Sequence, residues 1–251
     1  MIAVTGTVPE GGSDLPPLVF LHGAANSALV WKFWQQESTR HGWAAFAVDL
    51  RGHGNSTCSN LAHASMEDYA ADVRTLVRQF HRRAVLMGWS LGGLVAMMVA
   101  ASDPVAACVG LAPSVPAQRA DTALPLRLGE FGPEEYGIRS MDPENQPEMP
   151  DLDREERMVA LASLGHESRL ARDERKRGII IHALSCPLLI VTGTQDKQWP
   201  RDRYDDLWLA ADHLSVEGAS HWGLVLNRRA LSQAIPSVLR WIYEHVGSTN
   251  T

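Results

Sequence analysis

Gly88-Trp89-Ser90-Leu91-Gly92 places a serine between two glycines, each two positions away. A serine carried on a tight strand-to-helix turn needs that spacing, because side chains two residues before and after it would collide. The five-residue pattern alone would arise by chance in roughly one chain in ten of this length. Its neighbours decide the matter. The apolar run 84–87 leads into it, and residues 91–101 follow with small and apolar side chains at helical spacing. A serine hydroxyl is a weak nucleophile at neutral pH and needs an adjacent base, which an acid must orient.

The base expected from position is His221, in Gly218-Ala219-Ser220-His221-Trp222. It follows the strand candidate 213–217 and precedes the last helix, so it sits on a loop at a strand's carboxyl end, where ligands meet parallel sheets. His166 and His182, His213 at a strand start and His245 near the terminus are less well placed. Asp196 follows the apolar run 188–192 across Gly193-Thr194-Gln195 and is the expected acid. Asp202, Asp205 and Asp206 are later rivals on a segment read as an exposed helix, and the loop Ala112-Pro113-Ser114 offers no carboxylate. The resulting order, Ser90, Asp196, His221, is the one that accompanies this kind of elbow.

Negative charge developing on a carbonyl oxygen needs preorganised donors. The amide of Leu91, directly after the serine, is one by the geometry of the turn. The amide of Ala24, in Phe20-Leu21-His22-Gly23-Ala24-Ala25 at the end of the first clear strand, is the expected second. His22, at that strand end, reads as structural. Asp49-Leu50-Arg51-Gly52-His53-Gly54-Asn55-Ser56 reads as a sharp turn with Asp49 as its former. Ala25, Trp89, Trp199 and Trp222 are candidate pocket residues, with Trp31 beside them; for each tryptophan a place in the core is the competing explanation.

These side chains need a scaffold. At 251 residues and 45% apolar content the chain can bury one full core. Strand candidates at Leu18–Leu21, 44–48, 84–87, Ala107–Leu111, 188–192 and 213–217 alternate with helical spacing at 66–80 and 91–101. Such alternation implies a parallel sheet covered on both faces. A terminal helix over Arg228–Val246 is expected to break or kink at Pro236. Residues 113–185 differ: they hold scattered prolines, many charges and helical pieces without convincing strands. Asp153 with Glu156 makes a capping box ahead of helical spacing at 158–164, and a second helix is expected over 169–183. The acidic stretch 130–156 and the basic stretch 169–177 suit either a solvated helical insertion or a lid whose basic end meets an acidic partner.

A net charge of -6 argues against nucleic acid. No run approaches the roughly 20 apolar residues that span a bilayer, and the first nine residues lack a signal pattern. Three dispersed cysteines, Cys58, Cys108 and Cys186, form no disulfide framework or metal spacing, so a cytoplasmic protein without metal or cofactor is expected.

With these residues in place the sequence resembles the α/β-hydrolase superfamily, and within it the serine carboxylesterase and lactonase branch. The likeness rests on His22-Gly23, the Asp49 to Ser56 segment, the serine elbow and the loop ending at His221, with Asp196 where the family's acid falls. The resemblance implies an α/β fold with a mostly parallel eight-stranded sheet, helices on both faces and a helical cap. The cap would be residues 113–185, and the core domain residues 1–112 and 186–251. Because Met1 to Thr5 leaves room for only a short piece of the family's first hairpin, a seven-stranded sheet is the alternative. The implied activity is hydrolysis of a small carboxylic ester or lactone through an acyl-enzyme on Ser90. Carbon–carbon bond hydrolysis, cofactor-free perhydrolysis and a non-catalytic small-molecule receptor are the competing readings. Neither acyl preference nor oligomeric state follows from the residues.

Overall fold

The computed structural model describes residues 1–246. Its strands are β1 (Ala3–Thr7), β2 (Leu18–Leu21), β3 (Ala45–Asp49), β4 (Val85–Trp89), β5 (Ala107–Leu111), the short β6 (Glu130–Phe131) and β7 (Glu167–Ser168), β8 (Leu188–Gly193) and β9 (Asp212–Val216). The helices are α1 (Lys32–Arg40), α2 (Met66–Val77), α3 (Leu91–Ala100), α4 (Arg154–Ala162), α5 (Arg169–Arg177), α6 (Gly223–Leu226) and α7 (Arg228–Val246).

Seven strands form one sheet in the order β1-β3-β2-β4-β5-β8-β9. All neighbours are parallel except β1, which runs antiparallel to β3 with Ala3 opposite Asp49 and Thr7 opposite Ala45. The eight-stranded expectation is therefore corrected to seven. The segment before β2 supplies a single edge strand, β1, which pairs with β3.

Strand periodicity splits the core into two layers. Leu18, Phe20, Val85, Met87, Val109, Leu189 and Val191 face one side, with Trp31, Trp34 and α7 packed on them. Val19, Leu21, Leu86, Cys108 and Ile190 face the other, beneath α2 and α3. The central strands β2, β4, β5 and β8 are buried throughout, which explains why they read as unbroken apolar runs.

Three local expectations change. Pro236 lies inside α7 without ending it. It sits on the solvent face, while Ala234, Ile235, Val238 and Leu239 pack on both sides of it, and that burial offsets the missing backbone bond. The helix expected over 169–183 stops at Arg177, because Gly178 takes φ +108 and turns the chain. Residues 113–185 also hold a two-stranded ladder, β6 against β7, too short to leave a pattern. The capping box is present: Asp153 accepts from the Glu156 amide at 2.8 Å and Glu156 from the Asp153 amide at 2.9 Å, at the start of α4. No helix among the described residues is long and apolar enough to cross a membrane.

Candidate active site

The reactive end of the sheet is built from the loops after β2, β4, β8 and β9. After β4, Ser90 adopts φ +54 and ψ -116, a strained conformation for a residue with a side chain. The turn is pinned by the Ser90 amide donating to the Leu111 carbonyl at 3.0 Å and by the Ser114 amide donating to the Ser90 carbonyl at 2.9 Å. Its glycines are steric necessities. A Cβ on Gly88 would stand 2.1 Å from the Gly92 carbonyl oxygen, and one on Gly92 2.2 Å from that of Leu21.

After β9, the Nδ1 of His221 lies 2.7 Å from Oδ2 of Asp196. The other carboxylate oxygen of Asp196 accepts the amides of Gln198 and Trp199, both at 2.9 Å. Burial pushes the Asp196 carboxyl up, but the His221 bond and charge and the two amides outweigh it and hold it below its usual range. With its proton on Nδ1, the ring leaves Nε2 free to accept another. The indole of Trp89 donates to the His221 carbonyl at 3.1 Å and packs on its ring at 5.0 Å between centroids, tying the base loop to the elbow. Trp89 also lies against Gly23, where a Cβ would meet the indole at 2.7 Å.

Ser90, His221 and Asp196 line one cavity of about 460 Å³, together with Ala24, Ala25, Trp89 and Trp222. Tyr136, Ile138, Pro147, Glu148 and Leu164 of the 113–185 segment form its opposite wall. The Ser90 hydroxyl makes no hydrogen bond to the His221 ring in this arrangement. The amides of Ala24 and Leu91 have no partner among the described residues. Leu91 is fully buried, and its N–H belongs to the peptide it shares with Ser90, which lines the cavity.

Two expected pocket residues fall elsewhere. Trp199 does not line the cavity: it packs among core side chains, with the guanidinium of Arg203 4.8 Å from its ring centre. Its backbone amide, beside that of Gln198, is what the Asp196 carboxylate engages, and not its ring. Trp31 is buried and stacks on Phe20 at 4.8 Å. His22 donates from Nδ1 to the Gly23 carbonyl at 2.8 Å and accepts the Leu50 amide on Nε2 at 3.0 Å; burial first, then the nearby His53, lowers it to about 4. Asp49 accepts the amides of Ala28 and Asn55 at 2.7 and 2.9 Å and forms the turn its position suggested.

Two carboxylates missed in the sequence also reach these loops. Asp151 accepts the Ser220 amide at 3.0 Å, next to His221. Glu167, fully buried, accepts the Ala25 amide at 3.2 Å. Each sits among charged and polar residues, and nothing in the spacing marks Glu167 as buried or Asp151 as half-buried.

A single sheet whose strand ends carry a strained serine and a carboxylate-bound histidine defines an α/β protein with its reactive groups at the carboxyl edge. The chain belongs to the alpha/beta hydrolase family, whose model matches residues 18–234. It is 36% identical over 112 residues to protein phosphatase methylesterase 1 of Mus musculus, covering 43% of this chain and 29% of that one. It is 33% identical over 93 residues to pimeloyl-[acyl-carrier protein] methyl ester esterase of Aliivibrio fischeri (strain MJ11), covering 37% of this chain and 33% of that one. The matched stretches are thus a third or less of these relatives' lengths. Among solved structures, a thermophilic esterase from Thermogutta terrifontis superposes with a TM-score of 0.70 at 20% identity, over 96% of this chain and 93% of that one, a likeness of fold.

Proposed function

We propose that the chain is a carboxylic ester hydrolase that cleaves a small ester or lactone through an acyl-enzyme on Ser90. The observation that carries this reading is a serine held at positive φ in the same cavity as a histidine whose Nδ1 is 2.7 Å from a buried carboxylate. The methyl esterase activities named for the partial relatives support it.

In the reaction, the Ser90 oxygen attacks the ester carbonyl carbon while Nε2 of His221 takes the hydroxyl proton. The carbonyl electron pair moves to oxygen, where the free amides of Ala24 and Leu91 receive it. Collapse of the tetrahedral adduct expels the alkoxide, which takes the proton from His221. Water then attacks the acyl-serine with His221 again as base, releasing the acid and restoring the hydroxyl. Asp196 keeps the ring in the required tautomer and stabilises the imidazolium. In enzymes of this kind the serine–histidine bond is often long until substrate is bound, and the unmade bond here fits that behaviour. Residues 113–185 act as a cap, since they supply the wall facing Ser90.

A fluorophosphonate probe is expected to label Ser90, and Ser90→Ala to remove nearly all turnover of short p-nitrophenyl esters, on the order of a million-fold. Substantial turnover by folded Ser90→Ala would defeat the reading. A panel of acyl esters of graded length with a few lactones then defines the substrate.

A further inference from the structure

The cap segment does more than roof the cavity: it grips the loop after β2 at successive points. The Gly165 amide donates to the Ala25 carbonyl at 2.9 Å, the Ser163 hydroxyl donates to the Asn26 side-chain oxygen at 2.8 Å, and Glu167 accepts the Ala25 amide. Ala25 stands at φ +56, a conformation costly for a residue with a Cβ unless its surroundings enforce it. The peptide between Ala24 and Ala25 is therefore fixed at both ends, its carbonyl by the Asn26 amide at 2.8 Å and its N–H by Glu167. The preceding peptide, which owns the Ala24 N–H, has its carbonyl held by His22. The Ala24 N–H itself has no partner among the described residues.

Glu167 is itself held firmly. One oxygen accepts the Tyr69 hydroxyl at 2.5 Å and the Ser168 amide at 2.7 Å, while the other faces Nε2 of His53 at 3.4 Å. His53 in turn has Nδ1 3.0 Å from the Arg51 carbonyl. Burying a carboxylate is unfavourable unless it is paired and hydrogen-bonded, so four partners around one acid mark a site with a specific task.

We propose that Glu167 is a positioning residue: from the cap it holds the Ala25 amide and so keeps the Ala24 N–H directed at the substrate's carbonyl oxygen. The inference rests on the ester-hydrolase reading above. Glu167 touches neither substrate nor the reacting atoms. It acts by keeping a strained peptide in the one orientation in which its neighbour's N–H serves the oxyanion.

The test is Glu167→Gln, which keeps the shape and removes the charge, with kcat referred to active sites titrated by the fluorophosphonate. Losing an oxyanion donor outright costs ~100–1000-fold, so a loosened one is expected to lower kcat about 10–100-fold with KM within twofold. Affinity for a trifluoromethyl ketone, whose adduct with Ser90 carries a full oxyanion, should fall in step with kcat/KM. Asp173→Asn serves as control: it removes a similarly buried carboxylate of the same segment, bonded to Arg127 and remote from the loop, and should lower stability with wild-type kcat. Wild-type kcat and inhibitor affinity in folded Glu167→Gln would overturn the proposal, as would an equal kcat loss in Asp173→Asn. If Glu167→Gln does not fold, Tyr69→Phe, which frees one carboxylate oxygen, is expected to lower kcat several-fold at constant KM; unchanged kcat there is equally fatal. Turnover surviving in Ser90→Ala would instead bring down the underlying reading, whatever Glu167 does.

Discussion

Replacing Asp196 by asparagine is the sharpest test of how the histidine is oriented, because the surrounding amides dictate which way the new side chain must point. Oδ1 of Asp196 already accepts two backbone N–H groups, from Gln198 and Trp199 at 2.9 Å. An asparagine keeps both bonds only if its oxygen stays there, which turns its NH2 toward Nδ1 of His221. The reverse flip would set the NH2 against two N–H donors, at roughly 1–3 kcal/mol for each bond lost. With the NH2 facing it, Nδ1 must give up its proton and accept, so Nε2 becomes the protonated nitrogen and cannot take a proton from Ser90. The expected result at neutral pH is a fall in kcat of about 10⁴-fold, some 5 kcal/mol of barrier, at nearly constant KM. Steady-state kinetics on a p-nitrophenyl ester, beside circular dichroism to confirm the fold, measure it. A variant keeping a tenth or more of wild-type kcat refutes the reasoning, and equal loss in Asp205→Asn, whose carboxylate pairs with Arg201 on the surface, would mean the acid was misassigned.

Two further outcomes follow from packing and burial. In Gly92→Ala the new Cβ would stand 2.2 Å from the Leu21 carbonyl, which belongs to strand backbone and cannot yield, so a loss of about 3 kcal/mol or more in urea unfolding is expected; near-wild-type stability would show the contact is softer than drawn. Buried His22, held neutral near 4 against about 6.5 when unfolded, binds fewer protons folded than unfolded between those values. Its contribution, about 3 kcal/mol, is complete above pH 6.5 and lost as pH falls toward 4. His53, raised by Glu167 against the burial that lowers it, works the other way, stabilising below pH 6.5 and less so as pH rises, so the comparison is with His22→Gln. Unfolding midpoints of wild type should drop more steeply than those of His22→Gln between pH 6.5 and 4, and parallel slopes would refute this.

The parts of the molecule legible in the sequence are those where one residue type is imposed by sterics or periodicity. The elbow is readable because no side chain but hydrogen fits at Gly88 and Gly92, and the central strands because both of their faces are buried. His221 and Asp196, whose side chains meet at 2.7 Å, are legible as a pair from their places after strands, which the parallel topology dictates. Tryptophan is different. Trp89, Trp199 and Trp222 sit in similar contexts, and only the packed molecule shows that Trp89 and Trp222 border the cavity while Trp199 turns to the core. Pro236 does not end its helix because the rule about backbone hydrogen bonds takes no account of the buried stripe on either side of it.

The acids of the cap were illegible for a deeper reason. Asp151 and Glu167 reach these two loops through backbone amides, and a backbone N–H is the same whatever residue bears it, so nothing in the loop sequences advertises the bond. An N–H turned inward needs a strong acceptor, and a carboxylate oxygen supplies one. In Glu167 the other oxygen also accepts the Tyr69 hydroxyl and the Ser168 amide, whereas in Asp151 the oxygen that accepts the Ser220 amide also accepts the Asn227 side-chain NH2. Glu167 reaches the loop that carries the Ala24 N–H and Asp151 the loop that carries His221, so one segment holds two of the loops that border the cavity with Ser90. Movement of residues 151–167 away from the core as one body would release the Ala25 and Ser220 amides.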